Sequence, residues 1–341
     1  MSDYYVVQDP SAKLWNSFWE SYREGDFFQS FEYGEISKTA SQRTKIARLS
    51  INLEENPIAM IQGTYTRYLG FGMTLQVLCG PVVSTEKRCD LQLVIRLLKE
   101  LEDYCKRKRI ILSDIWVLDS WQLREAFLNM GYASVGKIND YVVNLEGGVQ
   151  RLWDSIHHNK RRNIKKAERE GVEIIQSHSH KDLEAFCLLH EASAKRDGFT
   201  PVPRSWFEAA WKIYSPELSQ VVLAYWKGKS IAGVYVVIHR NTVYALRAGS
   251  RTEGLNVRPN ELMHWKTMEW ACENGYSKYN MGMVNEPVPT EKSDKWGIWR
   301  WKKEWNGSLE RIEIFDKTIL PRYKPVLQAR DIVYDATKRF K

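Results

Sequence analysis

The sequence predicts an α/β protein of two domains in which one order of strands and helices occurs twice. The chain has 341 residues, more than a single hydrophobic core usually supports. Residues 46–68 and 221–244 each consist of two alternating apolar and polar stretches joined by a polar turn, EENP in the first and KGKS in the second. Both second stretches begin with Ile-Ala, at Ile58 and at Ile231. These features predict two equivalent β-hairpins.

The elements that follow the two hairpins also correspond. After the first hairpin, LQVLCGPVVS predicts a strand, residues 90–106 a periodic helix and IILSDIWVL another strand. After the second come the strand ALRAGS, a helix over 259–274 and the strand YSKYNMGMV. Pro259 in the first turn and Gly275 just past the end are typical helix boundaries. A repeated unit of this kind indicates duplication, although two ordinary α/β stretches could also match by chance. We therefore expect domains over 1–145 and 146–315 and a helical tail over 316–341.

The composition indicates the cellular compartment of the protein and the chemical class of its partners. Lys and Arg number 50 against 42 Asp and Glu, an excess that favours phosphate-bearing partners. The five cysteines are scattered without a C-x-x-C pair, which is typical of free thiols in a reducing compartment. The N-terminus lacks a leader-like pattern, and no run of about 18 apolar residues occurs. We expect a cytoplasmic protein.

Common signatures of hydrolytic and metal-dependent catalysis are absent from the sequence. It contains no G-x-S-x-G elbow, P-loop or H-E-x-x-H motif. His178 and His180 form HSH, but they lack cysteine or carboxylate partners at metal-ligand spacing. We therefore expect neither a metal site nor a serine or cysteine nucleophile.

Four stretches, in order, resemble motifs of the Fem family of peptidoglycan bridge-forming transferases. They are DFFQSFEYGEI (26–36), HNKRRNIKKAEREGVEI (158–174), GYSKYNMGMV (275–284) and GIWRWKKEWNGSLE (297–310). The resemblance implies two tandem GNAT-like domains, each with a mixed sheet flanked by helices. Between Gly171 and Asp182 there is no room for the coiled-coil arm of some members, so the chain resembles the compact, armless type.

The resemblance implies an aminoacyltransferase that moves an amino acid from aminoacyl-tRNA to the amine of a peptidoglycan-precursor stem peptide. It implies that the tRNA co-substrate is used without a further cofactor. It also implies a nucleotide- or lipid-linked acceptor and a monomeric protein, and it is compatible with peripheral membrane association. One alternative is an acyl-CoA-dependent N-acyltransferase of the double-GNAT type. The turns VSTEKRCD and SRTEGLNVRPN, however, lack the complete glycine-rich turn that holds the CoA pyrophosphate. A non-catalytic RNA-binding protein is a second alternative, supported only by net charge.

The segment WGIWRWKKEW (296–305) contains the candidate catalytic residue. An amine that attacks an ester creates an oxyanion, which requires a nearby electrophilic donor. The resemblance gives this role, or contact with the acylated tRNA end, to Lys302. We expect a strand here, with Lys302 on the face of Ile298 and with Trp299, Trp301 and Trp305 on the other. The tryptophans would then pack the strand rather than form an aromatic cage, and the alternative is a solvated Lys302.

Two further groups of residues are candidates for substrate binding. Cations of the basic helix would contact tRNA phosphates, unless they form an ordinary solvated face: Lys160, Arg161, Arg162 and Lys165. By resemblance, the cell-wall precursor would be bound by Lys38, Arg204, Tyr244 and Trp301. For Lys38 and Arg204 the alternative is a surface salt bridge.

Overall fold

The computed structural model describes residues 4–21, 26–68, 72–84, 87, 90–325 and 327. The chain divides into two compact units, one formed by Met1–Lys137 with Ile312–Lys341 and the other by Ile138–Arg311. These limits differ from the predicted ones at 145 and 315, because the last strand pairs within the first unit. The predicted helical tail over 316–341 begins instead with the end of that strand, and most of it, residues 328–341, lies outside the described residues.

The elements follow one another in the predicted alternation of strands and helices. The first half of the chain contains β1 (Tyr4–Gln8), α1 (Ala12–Ser21), α2 (Phe31–Ala40), β2 (Lys45–Leu53), β3 (Asn56–Tyr68), β4 (Gly72–Val77), β5 (Val82–Val83), α3 (Leu91–Arg107), β6 (Ile110–Leu118), α4 (Arg124–Asn129) and β7 (Ala133–Asn144). The second half contains α5 (Gly148–Ser155), α6 (His158–Arg169), β8 (Glu173–Ser177), α7 (His180–Asp197), α8 (Arg204–Tyr214), β9 (Ser219–Trp226), β10 (Lys229–His239), β11 (Thr242–Ser250), α9 (Pro259–Glu273), β12 (Lys278–Asn285), α10 (Trp296–Lys303) and β13 (Ser308–Thr318).

The two units have the same strand order, as duplication predicts. In the first unit the order is β1-β2-β3-β4-β6-β13, and in the second it is β8-β9-β10-β11-β12-β7. Each strand order contains one parallel pair, β4 with β6 in the first unit and β11 with β12 in the second, and the pair has the same position in both orders. Ile58 lies on β3 and Ile231 on β10, which correspond. The predicted mixed α/β fold is therefore confirmed.

Each unit has its own apolar core, formed by the inward faces of its helices and strands. In the first, α3 begins at Asp90, whose side chain accepts from the backbone N–H of Leu93, and it buries a stripe that includes Leu97 and Leu101. In the second, the buried cluster contains Met263 of α9 and Trp305, which follows α10. This second core encloses the charged residues described below.

Two local predictions are wrong. Residues 296–303 form the helix α10 rather than a strand. Tryptophans alternate here, but Trp301 and Trp305 are also four apart, a spacing that places both on one helix face. The predicted strand LQVLCGPVVS is split into β4 and β5 by a turn in which Cys79 has a left-handed φ of 53°.

Within the described part of the chain, no helix has the length and apolar character required to cross a membrane. The same residues contain no cluster of three or more His, Cys, Asp or Glu side chains arranged to bind a metal ion.

Candidate active site

Strand pairing in the second unit stops abruptly between β11 and β12. The two parallel strands are in register from Thr242 with Lys278 to Tyr244 with Asn280. Over the described residues they form no further register pair, although β11 continues to Ser250 and β12 to Asn285. By contrast, β4 in the first unit pairs with β6 to its last residue. β11 and β12 therefore separate just beyond Asn280, while each stays paired with its other neighbour, β10 or β7.

A bulge in β12 begins at this point. The register against β7 shifts between Asn280 and Met283, and Gly282 has a left-handed φ of 77°. The Asn280 Oδ1 accepts from the Gly282 N–H at 2.7 Å, and the Asn280 Nδ2 donates to the Asp140 Oδ2 at 2.9 Å. The left-handed backbone is readily adopted by glycine, and the Asn280 side chain satisfies its N–H.

Lys302 of α10 reaches this bulge. Its Nζ donates to the carbonyl oxygens of Gly282 and Met283, each at 2.9 Å, and the residue is only 8% exposed. Burial lowers the pKa of Lys302 to about 8, an effect that the charge of Asp140 opposes. Burial likewise raises the pKa of Asp140, opposed by its hydrogen bond from Asn280 and by the charge of Lys302. An ammonium has three N–H donors, so one is left over from these two bonds for a substrate oxygen. The alternative of a solvated Lys302 is wrong.

A second buried cation, Lys160 of α6, lies against two of the tryptophans. Its Nζ is 4.3 Å from the centroid of the Trp301 ring and 5.2 Å from that of Trp305. It is also 3.5 Å from the Glu304 Oε2 and 4.0 Å from the Glu261 Oε1. The tryptophans therefore pack in the core of the second unit, as expected, and two of them also contact a cation, which is Lys160 rather than Lys302.

Burial of Lys160 also contradicts its predicted role in binding tRNA phosphates. The side chain is fully buried, and burial lowers the pKa of Lys160 to about 8 despite the two nearby carboxylates. Lys160, Ile164 and Ala167 are all buried and follow the spacing of one helix face. Lys160 therefore belongs to the inward face of α6 and cannot meet a phosphate backbone.

Glu261 and His264 of α9 complete this cluster, although no motif in the sequence singles them out. The His264 Nδ1 is 2.7 Å from the Tyr279 hydroxyl, and its ring centroid is 5.1 Å from that of Trp301. Burial and the charges of Lys160 and Lys302 lower the pKa of His264 to about 3, so the imidazole is neutral near pH 7. Glu261 and His264 are three residues apart and so lie on one face of α9, and this spacing is the signal that could have indicated them.

The remaining cations of α6 differ in their availability. Arg161 donates to the backbone carbonyls of Trp153 and Asp154, at 3.1 and 3.0 Å, and so caps the end of α5. Arg162 and Lys165 are exposed. They are the two predicted phosphate ligands whose positions would admit a polyanion.

The predicted precursor-binding residues are dispersed over several elements. Arg204, at the start of α8, is exposed and forms two hydrogen bonds with the Glu191 carboxylate, at 2.6 and 3.0 Å. Tyr244 is buried on β11 at its last pair with β12, and Trp301 is partly buried against Lys160. Lys38 is exposed near the end of α2 in the first unit. Among the predicted residues of the second unit, Lys160 contacts Trp301, and the charges of Lys160 and Lys302 both act on His264.

The chain is similar in sequence to an acetyltransferase domain family and to named glycyltransferases. A family model described as an acetyltransferase (GNAT) domain matches residues 155–303. The chain is 32% identical over 91 residues to the lipid II:glycine glycyltransferase of Staphylococcus saprophyticus, a segment that covers 26% of this chain and 22% of that protein. It is 28% identical over 106 residues to proteins of the same name from Staphylococcus aureus, with 30% and 25% covered. The chain thus matches about a quarter of the length of these relatives.

Comparisons of structure extend over nearly the whole chain. The crystal structure of FemX has a TM-score of 0.80 at 16% identity, with 94% of this chain and 99% of that chain covered. A tandem GNAT protein from the clavulanic acid biosynthesis pathway has a TM-score of 0.63 at 8% identity, with 94% and 99% covered. These likenesses establish the tandem GNAT fold. Together with the matching sequence segments, they support the resemblance of the chain to the Fem family.

Proposed function

We propose that this protein is an aminoacyltransferase that moves an amino acid from aminoacyl-tRNA to a primary amine of a peptidoglycan precursor. The observation that carries the proposal is the buried Lys302 ammonium on the β12 bulge, with one N–H left for a substrate oxygen. The names of the glycyltransferase relatives support the reaction class and a cell-wall acceptor. The tRNA donor is proposed from the family resemblance and the basic surface of α6.

The proposed reaction requires no nucleophile from the protein. The acceptor amine attacks the ester carbonyl, a C–N bond forms, and the ester C–O bond breaks to release the terminal hydroxyl of the tRNA. The amine loses a proton, which the leaving alkoxide can take up. Negative charge develops on the carbonyl oxygen between these steps, and the third N–H of Lys302 donates to it. One preorganised donor of this kind typically contributes a rate factor of about 10²–10³.

Binding of the two large substrates is proposed for exposed cations. Arg162 and Lys165 would contact phosphates near the acceptor end of the tRNA. The precursor diphosphate would be bound by Arg204, which would exchange its bond with Glu191 for the phosphate, and Lys38 of the first unit is the alternative cation for this role. Neutral His264 and the buried Lys160 have a structural part in this scheme, because both contact Trp301, the residue before Lys302.

Transfer of radiolabel tests the proposal. The protein is incubated with a pool of tRNA charged with labelled amino acids and, in parallel, with nucleotide-linked and lipid-linked precursor. We expect label in one precursor, and loss of the signal when ribonuclease is added first. Transfer that survives ribonuclease, or tRNA binding without transfer to either precursor, would contradict the proposed reaction; the second result would favour the RNA-binding alternative.

A second candidate is an acyl-CoA-dependent N-acyltransferase. It is favoured by the description of the matching family model and by the start of α9, where Gly254 and Arg258 adopt left-handed conformations in the turn after β11. The same assay with labelled acetyl-CoA in place of charged tRNA discriminates between the two. Acetylation of the precursor amine, insensitive to ribonuclease, would select this candidate.

A further inference from the structure

A continuous series of polar contacts lies behind Lys302. Asp140 of β7 accepts from the side chain of Asn280, which accepts from the backbone of Gly282, whose carbonyl accepts from Lys302. The three bonds measure 2.9, 2.7 and 2.9 Å, and Asp140 and Asn280 are both buried. Each member has a partner on both sides, except for the terminal carboxylate and ammonium. The series therefore connects a buried anion to a buried cation through the β12 bulge.

We propose that Asp140 and Asn280 are positioning residues that fix the bulge of β12 and thereby orient Lys302 toward the substrate. The proposal rests on the proposed function, in which Lys302 donates to the developing oxyanion. Lys302 is held by two successive carbonyls, those of Gly282 and Met283. That arrangement depends on the left-handed backbone at Gly282, and the Asn280 oxygen is the acceptor that satisfies the N–H of this residue.

The carboxylate of Asp140 has an electrostatic part as well. Other titratable groups around the series are Lys160 of α6, His264 of α9, and Glu304 and Glu310 near α10 and on β13. Lys160 is a cation and His264 is neutral, so neither supplies negative charge to Lys302. Asp140 raises the pKa of Lys302 against the effect of burial. It therefore helps to keep the ammonium protonated as well as placed.

The first experiment measures Lys302 directly and needs no substrate. Protein labelled with ¹³Cε-lysine is titrated by NMR, and the Lys302 signal is identified from its loss in Lys302→Arg. In Asp140→Asn the amide oxygen still accepts from Asn280, but the charge is gone, so we expect the pKa of Lys302 to fall below its wild-type value of about 8. The matched control is Asp103→Asn, which removes an exposed carboxylate paired with Lys106 in the first unit and should leave the titration unchanged.

A second variant separates the role of the bulge from that of the charge. Asn280→Leu leaves the Gly282 N–H without its acceptor while Asp140 stays in place. We expect the chemical shift of the Lys302 signal to change at fixed protonation state, and kcat to fall with little change in KM. A purely structural role would lower thermal stability without altering the Lys302 signal of the folded protein.

The pH dependence of transfer gives a third readout. Because Lys302 must be protonated to donate, kcat falls as pH rises through its pKa, and Asp140→Asn moves that fall to lower pH. A decrease of one unit from a pKa of about 8 reduces the protonated fraction at pH 8 about fivefold. An unchanged Lys302 pKa in folded Asp140→Asn, together with an unchanged Lys302 chemical shift in folded Asn280→Leu, would overturn the inference. If one variant does not fold, the Lys302 signal of the other decides. Absence of any transfer by the wild-type protein would defeat the proposed function and leave the titration result standing.

Discussion

Replacement of Lys302 by methionine should abolish most turnover while the fold survives. Methionine is unbranched and apolar and nearly fills the space of the lysine, but it has no N–H donor. If Lys302 donates to the developing oxyanion, its loss removes one preorganised donor, equivalent to about 2.7–4 kcal/mol of transition-state stabilisation. We expect kcat to fall by about 10²–10³.

The same change affects stability through the bulge. The carbonyls of Gly282 and Met283 lose the donor that contacts both of them at 2.9 Å. An unsatisfied buried acceptor costs about 1–3 kcal/mol, but removal of a buried charge offsets part of that cost. We therefore expect a moderate decrease in melting temperature. Unfolding of the variant would be too limited to account for the loss of activity.

Lys303→Met is the matched control, because Lys303 is the next residue on α10 and is exposed. Turnover is measured with both substrates saturating, and folding by urea denaturation of the same preparations. Lys303→Met should stay within severalfold of wild type, and Lys302→Arg should recover activity only in part, because the planar guanidinium is bulkier than the ammonium. Equal and mild losses at positions 302 and 303 would refute a role for Lys302 in the chemistry.

Three further outcomes follow from the structure. Changing Arg162 and Lys165 together to glutamine should reduce the slope of log tRNA affinity against log salt concentration by about 1.4–1.8, at about 0.7–0.9 per phosphate contact. An unchanged slope would show that the two side chains are solvated and do not contact tRNA phosphates. Gly249→Ala should destabilise the protein strongly, because a Cβ at this position would overlap the backbone of α7. Gly297 of α10 has open space around it, so Gly297→Ala should stabilise the protein by about 0.5–1 kcal/mol. Equal effects of the two changes in urea denaturation would contradict the packing described for Gly249. The pKa of Lys160 is about 8 in the folded protein, against an ordinary value of 10.5, so the unfolded chain binds more protons between these two pH values. The contribution of Lys160 therefore makes the free energy of unfolding rise as the pH increases from 8. In urea titrations, Lys160→Met should lose this part of the rise.

Local pattern was sufficient to predict much of the fold. The two hairpins, α3 and α9 are specified by alternation, periodicity and end residues within short windows, and the structure contains all four. The return of β13 to the first unit could not be predicted in this way, because its partner β6 lies about two hundred residues earlier and nothing in either strand encodes the pairing. The strand predicted over WGIWRWKKEW failed for another reason: its aromatic residues satisfy both the two-residue and the four-residue spacing.

The candidate site could be predicted only in part. The family resemblance indicates Lys302. Its burial, however, depends on two carbonyls about twenty residues earlier in the chain, in a bulge that no sequence motif predicts. Lys160 was mistaken for a surface cation, although its spacing to Ile164 and Ala167 placed it on the apolar face. Asp140 is separated by 140 residues from Asn280, its hydrogen-bond partner, so no local pattern connects them.

The central claim is that the Lys302 ammonium contacts the oxyanion of acyl transfer, and the response of Lys302 to a mimic of that oxyanion tests it most directly. A phosphonate that joins the acceptor amine to the terminal nucleoside of the tRNA is tetrahedral and anionic, as the reaction intermediate is. The ¹³Cε signal of Lys302 is titrated in the free protein and in the phosphonate complex. Contact with the anion should raise the pKa of Lys302 well above its value of about 8 in the free protein. A phosphonate that binds at saturation and leaves the pKa of Lys302 unchanged would contradict the claim.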